Sequence, residues 1–260
     1  MDAALYTFLA VTLVSLVSLI GVFALSLGTV LSRLMPTLVG LAAGALLGDA
    51  VIHLIPESLA IIGSETLFGV SVLVGIVAFF VFEKYLRWHH AHHGQEEEHE
   101  NHERFEHGPH TPNAHIAPMV LAADGVHNIV DGAIIAASFL ISPELGIATT
   151  IAVFLHEIPQ EIADYALLVH SGLSRARALF FNFLSGLTAL IGAGAVLFLE
   201  SSFGSTSGYL IAFTAGAFIY LATADLIPEL HKTTTTRGSI LQFVAVILGM
   251  VLMLALTLLE

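Results

Sequence analysis

Hydrophobic positions fall into eight long runs separated by short polar or turn-forming clusters: 5–27, 37–56, 66–86, 117–140, 145–170, 176–199, 208–228 and 239–259. A hydrocarbon core of about 30 Å is crossed by a helix of about 20 apolar residues, so each run reads as one membrane span. The separators, such as SPELG at 142–146 and ESSFGSTSG at 200–208, are rich in the residues that end helices and turn the chain. The pattern predicts an all-α integral membrane protein with eight transmembrane helices in a single domain over 1–260.

Two of the runs echo each other. Span 2 contains AGALLGDAVIHLIPE (43–57) and span 7 contains AGAFIYLATADLIPE (215–229), which match at 8 of 15 positions, including both AGA and LIPE. The span numbers 2 and 7 differ by an odd number, so the two copies cross the membrane in opposite directions. An inverted repeat of spans 1–3 on spans 6–8, with spans 4 and 5 between them, is therefore expected. Many secondary transporters use an inverted repeat, with the substrate site near the midplane, and the natural division here is three spans, then two, then three.

Composition agrees with a bilayer protein: 56% of residues are hydrophobic and only 11% are charged, against about 25% charged in a soluble domain. The formal charge of -13 is partly local, because six of the acids lie within 96–106. No basic face exists to bind nucleic acid. With no cysteine, disulfides and thiolate metal sites are excluded, and any metal must be held by imidazole, carboxylate, amide or water. The opening MDAALYTFLAV has no basic region ahead of its apolar run, so the first run reads as a permanent span rather than a removable signal.

Orientation follows from the cations, which accumulate in short cytoplasmic loops. Arg33 lies between spans 1 and 2, and Lys84, Arg87 and Arg104 lie between spans 3 and 4. Arg175 and Arg177 lie between spans 5 and 6, and Lys232 and Arg237 between spans 7 and 8. All eight are on one side, while the other carries Asp2, Glu57, Glu65, Glu144, Glu200 and Glu260 and no cation. Both termini are expected outside, in the cell (inner) membrane. The segment 87–115, which holds nine histidines and six glutamates over 89–115, is expected to be a cytoplasmic, disordered loop that buffers or senses metal. A solvated linker is the plainer alternative.

Candidate chemistry sits where a bilayer tolerates it least. Span 4 carries Asp124, His127, Asn128 and Asp131; span 5 carries His156, Glu157, Gln160, Glu161 and Asp164; span 2 adds Asp49 and His53. Neighbours on a helix face are three and four residues apart, so His127 stacks with Asp131, His156 with Gln160, Glu157 with Glu161 and Asp49 with His53. An ionisable group at the bilayer centre costs at least roughly 2.5–3.5 kcal/mol, and no Lys or Arg lies in these spans to offset it. Protons, imidazolium or a bound cation must neutralise the carboxylates. Mixed imidazole, carboxylate and amide ligands suit Zn²⁺, with Fe²⁺, Mn²⁺, Co²⁺ or Cd²⁺ as alternatives. Asp49, Asp124 and Asp164 are candidate pathway groups, against plain helix-end solvation or helix–helix hydrogen bonding.

The string HEIPQE (156–161) falls one histidine short of the H-E-x-x-H signature of zinc proteases. Gln160 stands where the second histidine would be, and Pro159 disturbs the regular helix that would hold such a pair. An intramembrane metallohydrolase and a non-transporting metal sensor are therefore the weaker readings.

HNIVDG in span 4 and HEIPQE in span 5, with GDAVIHLIP in span 2, resemble the ZIP family of divalent-metal transporters, and in particular the subgroup whose span 5 reads H-E-x-P-H-E. The resemblance covers the whole chain in span number and loop layout. It implies a 3+2+3 helix arrangement, often a homodimer, carrying metal toward the cytosol with no catalytic cofactor and no enzymatic activity. It further implies a primary site of His53, His127, Asp131, His156 and Gln160. An adjacent second site would use Asn128, Asp131 and Glu157, with Asp131 bridging, and Glu161 would be a further ligand. Two departures stand out: Gln160 replaces histidine, and LSGLTALIG (184–192) in span 6 lacks the acid that some relatives place there.

Overall fold

Inside a bilayer no water satisfies backbone N–H and C=O groups, so spans close their hydrogen bonds internally as helices. The computed structural model describes residues 3–20, 28–100, 116–203 and 207–259, and every element among them is helical. Span 1 is Ala3–Ile20, span 2 Leu34–Ile62, span 3 Glu65–Phe82 and span 4 Ala117–Ile141. Span 5 is the continuous helix Pro143–His170. Spans 6, 7 and 8 are Arg175–Leu199, Ser207–His231 and Thr236–Leu256. Seven of the eight are apolar enough to cross a membrane on composition alone. Span 5 is long enough but carries Glu157, Glu161 and Asp164 in its second half, the burden that a central helix bears when its acids face protein.

Local rules set the ends. Span 4 stops at Ile141 and span 5 starts at Pro143, with Ser142 between them accepting the Leu145 amide at 3.1 Å as an N-cap. A one-residue link leaves the two helices no choice but to pack antiparallel. Gly63 ends span 2 in the left-handed region at φ 64°, where a side chain would be strained. The helix containing span 3 continues to Glu100, into the segment 87–115, of which residues 101–115 lie outside the described residues.

The inverted repeat is visible in the backbone. Span 2 widens into a π-helical stretch at Asp49–Leu54 and span 7 at Leu221–Leu226, which are the same positions of the repeat. In both, the amide before the proline reaches five residues back, Ile55 to Ala50 and Ile227 to Ala222. Pro56 and Pro228 cause this, since a proline clashes with the carbonyl four residues before it and one inserted residue relieves the clash.

The same symmetry governs the crossings. Span 2 packs on span 8, and span 7 packs on span 3. A Cβ on Gly44 would lie 2.0 Å from the Val246 carbonyl oxygen, and one on Gly216 would lie 2.1 Å from that of Val72. Conversely, a Cβ on Gly249 would meet the Leu41 oxygen at 2.3 Å, and one on Gly75 the Phe213 oxygen at 2.1 Å. Leu41 and Phe213, like Gly44 and Gly216, are repeat equivalents, so two backbone-to-backbone contacts are built twice with opposite polarity. Such close approach is how membrane helices gain dispersion contact without a hydrophobic drive.

Spans 4 and 5 lie at the centre, with span 6 against span 4 through Gly132 and Gly192, where an added Cβ would fall 1.8 and 1.7 Å from facing carbonyls. Within its apolar window span 2 is 67% buried and span 3 only 11%. Span 3 therefore leaves Leu67, Val70, Leu73, Val74 and Val77 exposed on the outside of the bundle, while the buried polar residues are enclosed by spans 1, 2, 4, 5, 6 and 7.

Candidate metal centre

Helical spacing brings two pairs together across the span 4–span 5 interface. His127 and Asp131 come from one helix and His156 and Glu157 from the other, all four buried at 8%, 0%, 3% and 1% exposure. One ligand atom from each lies within 4.8 Å of all the others. His127 Nε2 is 3.3 Å from His156 Nε2, and His156 Nε2 is 3.1 Å from Asp131 Oδ2. His127 Nε2 is 3.6 Å from both Asp131 Oδ2 and Glu157 Oε1, and His156 Nε2 is 3.7 Å from Glu157 Oε1. Two ligands each about 2.0–2.1 Å from a tetrahedral zinc are about 3.3 Å apart. The observed separations of 3.1–3.7 Å are thus those of a group that could close around one ion with little movement.

Neighbouring groups orient the donors. His156 Nδ1 is 3.2 Å from the Ala152 carbonyl oxygen, so a proton on Nδ1 leaves the Nε2 lone pair facing the group. The two imidazoles stand edge to face at 82°, and Phe218 of span 7 backs His156 with ring centroids 6.3 Å apart. Both oxygens of Asp131 and Oε1 of Glu157 are buried without a hydrogen-bond donor. Two carboxylates facing two imidazoles with no cationic side chain suit a divalent cation better than they suit each other.

The remaining sequence candidates divide by what holds them. Asn128 donates from Nδ2 to Asp124, at 2.9 Å to Oδ1 and 3.1 Å to the backbone oxygen, which turns its own Oδ1 away unpaired. Gln160 is half-buried and hydrogen-bonds Asp124. Glu161 is buried but accepts from Nδ2 of Asn182 in span 6. His53 sits in the π-helical stretch of span 2 with Nδ1 3.2 Å from Asp49 Oδ1, and Asp49 in turn faces Thr149 of span 5. Glu161, one turn beyond Glu157 and interacting with it, and His53, beside Asp49, are thus not among the group of four.

Sequence reasoning missed the neutral polar residues of spans 1 and 6. Asn182, Ser185 and Thr188 recur every three residues on one face of span 6, a periodicity that was readable. Ser185 donates to the Leu121 carbonyl and Thr188 to that of Gly125, fastening span 6 to span 4 where span 6 breaks at Leu187–Thr188. Ser15 of span 1 donates to the Gly186 carbonyl at 2.8 Å.

Several known proteins share this sequence pattern. Zinc transporter SLC39A7 of Homo sapiens is 39% identical over 147 residues, 54% of this chain and 31% of that protein. IAA-alanine resistance protein 1 of Arabidopsis thaliana is 41% identical over 143 residues, and metal cation symporter ZIP14 of Bos taurus 35% over 150, each match covering 30% of the relative and 54% and 55% of this chain respectively. The matched region is thus about a third of these curated relatives' length. The family model of the ZIP zinc transporters, by contrast, matches residues 1–257, nearly the entire sequence, and on that match the chain belongs to the ZIP zinc transporter family.

Proposed function

We propose that this protein carries divalent transition-metal ions, Zn²⁺ foremost, across the membrane toward the cytosol through a binuclear-type centre between spans 4 and 5. The observation that carries this reading is the buried group of His127, Asp131, His156 and Glu157, spaced for one ion and lacking any Lys or Arg to neutralise it. The unpaired Asn128 Oδ1 and the donor-free oxygens of Asp131 supply ligands for a second ion beside the first, with Asp131 bridging. His53 with Asp49 stands on one side of the centre, and Gln160, Asp124, Glu161 and Asp164 on the other, which makes a polar track through an apolar bundle. The one-sided distribution of the eight Lys and Arg residues supports an outward-facing terminus and a cytoplasmic His-rich segment.

Transport is favoured over hydrolysis by the source of the second imidazole. His127 supplies it from another helix, so HEIPQE is not a damaged protease site, and the inverted repeat has no use in an enzyme of that kind.

Zinc entry into proteoliposomes, followed with a trapped indicator, tests the proposal. Wild-type protein should exceed empty vesicles, and Asp131→Ala or His156→Ala should cut the initial rate at least about tenfold, since even groups one step removed from a metal are worth 10–100-fold in affinity. Wild-type entry equal to that of empty vesicles defeats the transporter reading.

A further inference from the structure

Span 4 meets span 5 on one face and span 6 on another, and both faces fall within residues 125–132. His127 and Asp131 belong to the metal-facing group, while Gly125, Ile129 and Gly132, at helical spacing on a different face, lie against span 6. There a Cβ on Gly132 would fall 1.8 Å from the Ala189 carbonyl oxygen, and one on Gly192 would fall 1.7 Å from that of Ile129. A Cβ on Gly125 would come 3.3 Å from Ser185 Oγ. The stretch of span 4 that carries the two ligands is therefore splinted, backbone on backbone, by residues 185–192 of span 6.

Span 6 is not a continuous helix at this level. It is interrupted at Leu187–Thr188, between the helices Arg175–Gly186 and Ala189–Phe203, although it contains no proline. The Leu190 amide, which a regular helix would give to Gly186, goes to the Leu187 carbonyl at 3.1 Å. Ser15 of span 1 takes the vacated Gly186 oxygen at 2.8 Å. Span 1 changes at the matching place, its α-helix ending at Ser15 and a 3-10 stretch following over Leu16–Ile20. The offset that pairs Gly44 with Gly216 pairs Ser15 with Leu187, so the two interruptions are repeat equivalents and one supplies a hydroxyl to the other. An unpaired carbonyl is costly in a bilayer, so the break in span 6 is sustained by what pairs with it.

The interrupted turn is tied to both metal-bearing helices. Thr188 Oγ1 lies 2.6 Å from the Gly125 carbonyl oxygen of span 4 and 2.7 Å from that of Ser185. Ser185 Oγ donates to the Leu121 oxygen of span 4 at 3.1 Å. On the other side Asn182 donates from Nδ2 to the Glu161 carboxylate, one turn past Glu157 on span 5, and the same nitrogen lies 3.4 Å from the Ser18 backbone oxygen of span 1. Asn182, Ser185 and Thr188 are not among the four metal-facing residues; they fix where those residues sit.

We propose that the interrupted turn of span 6 positions the metal centre: Thr188 and Ser185 hold span 4, Asn182 holds span 5, and Ser15 keeps the turn open. On the transport reading above, on which this rests, the turn sets how closely His127 and Asp131 approach His156 and Glu157. It thereby sets the preference for a small ion such as Zn²⁺ over a larger one such as Cd²⁺.

Co²⁺ is the probe, read by its visible absorption in purified full-length protein. Each protein is compared with its own His127→Ala/His156→Ala counterpart, so that the His-rich segment cancels, and Zn²⁺ and Cd²⁺ are then titrated to displace the Co²⁺. Thr188→Val keeps the shape of the side chain and loses the hydroxyl. Its Co²⁺ bands should shift, and Zn²⁺ binding should weaken about tenfold, the lower end of the effect of residues that orient metal ligands, with Cd²⁺ binding weakened less. Thr188→Ser should restore the bands and the preference. A mere loss of folded protein would lower the amplitude for both ions together and leave bands and preference as they were. If Thr188→Val does not fold, Ser15→Ala, which removes one hydroxyl from Gly186, is read by the same criterion. Unchanged bands with an unchanged preference, or a Thr188→Ser protein that behaves as Thr188→Val does, overturn the positioning role. A wild-type spectrum indifferent to the two histidines overturns the centre and this role with it, whereas an intact spectrum without zinc entry into proteoliposomes overturns transport alone.

Discussion

At Asp131 one carboxylate meets two imidazoles, 3.1 Å from His156 Nε2 and 3.6 Å from His127 Nε2, and neither of its oxygens has a hydrogen-bond donor. The four residues of this group were legible in the sequence because each is costly in lipid and the pairs recur at helical spacing. The fate of His53 was not, because it depends on the π-helical turn that Pro56 forces just before it and that a uniform helical wheel does not contain. Asn182 escaped notice for the opposite reason: an amide is cheap enough in a bundle to draw no attention, although it fixes Glu161. Gln160 lies four residues from His156 on the same face, between the centre and Asp124. Exchanging its amide for an imidazole should tighten zinc binding roughly tenfold, about 1.4 kcal/mol. Competition of Zn²⁺ against Cd²⁺, Fe²⁺ and Mn²⁺ with wild type and Gln160→His measures this, and equal or weaker zinc binding by the variant would refute it.

Among the helices, the repeat is written more strongly in the backbone than in the sequence. Eight matches in fifteen positions suggested it for spans 2 and 7 alone. The twin π-helical stretches and the doubled glycine crossings extend it to spans 3 and 8, where Val72 and Gly75 of one answer to Val246 and Gly249 of the other. Those crossings make a sharp prediction. Gly44→Ala forces a methyl group against the Val246 carbonyl oxygen and should cost about 1–3 kcal/mol, the usual range for overpacking, seen as a lowered Tm in detergent. Gly69→Ala in span 3 meets nothing within 4 Å and should leave Tm unchanged or raise it slightly. Equal effects from the two substitutions would mean that the span 2–span 8 contact is not as close as described.

The described residues form two inverted three-helix units that exchange contacts, span 2 with span 8 and span 3 with span 7, around a central pair that carries most of the buried ionisable residues. A rocking or sliding of one helix set against the other would expose that pair to each side in turn, which is the use secondary transporters make of such symmetry. On the proposed orientation, the His-rich segment lies on the side to which ions are delivered. Deleting residues 89–110 should leave the initial rate of uptake intact and weaken its shut-off at high metal; unchanged uptake with unchanged shut-off removes the regulatory role. The central claim, that His127, Asp131, His156 and Glu157 close around the transported ion, is tested most directly by anomalous diffraction at the zinc edge from zinc-loaded crystals. A peak about 2.0–2.2 Å from Nε2 of both histidines and from a carboxylate oxygen of Asp131 is the predicted result. A peak elsewhere in the membrane region, with none among these four side chains, would contradict it.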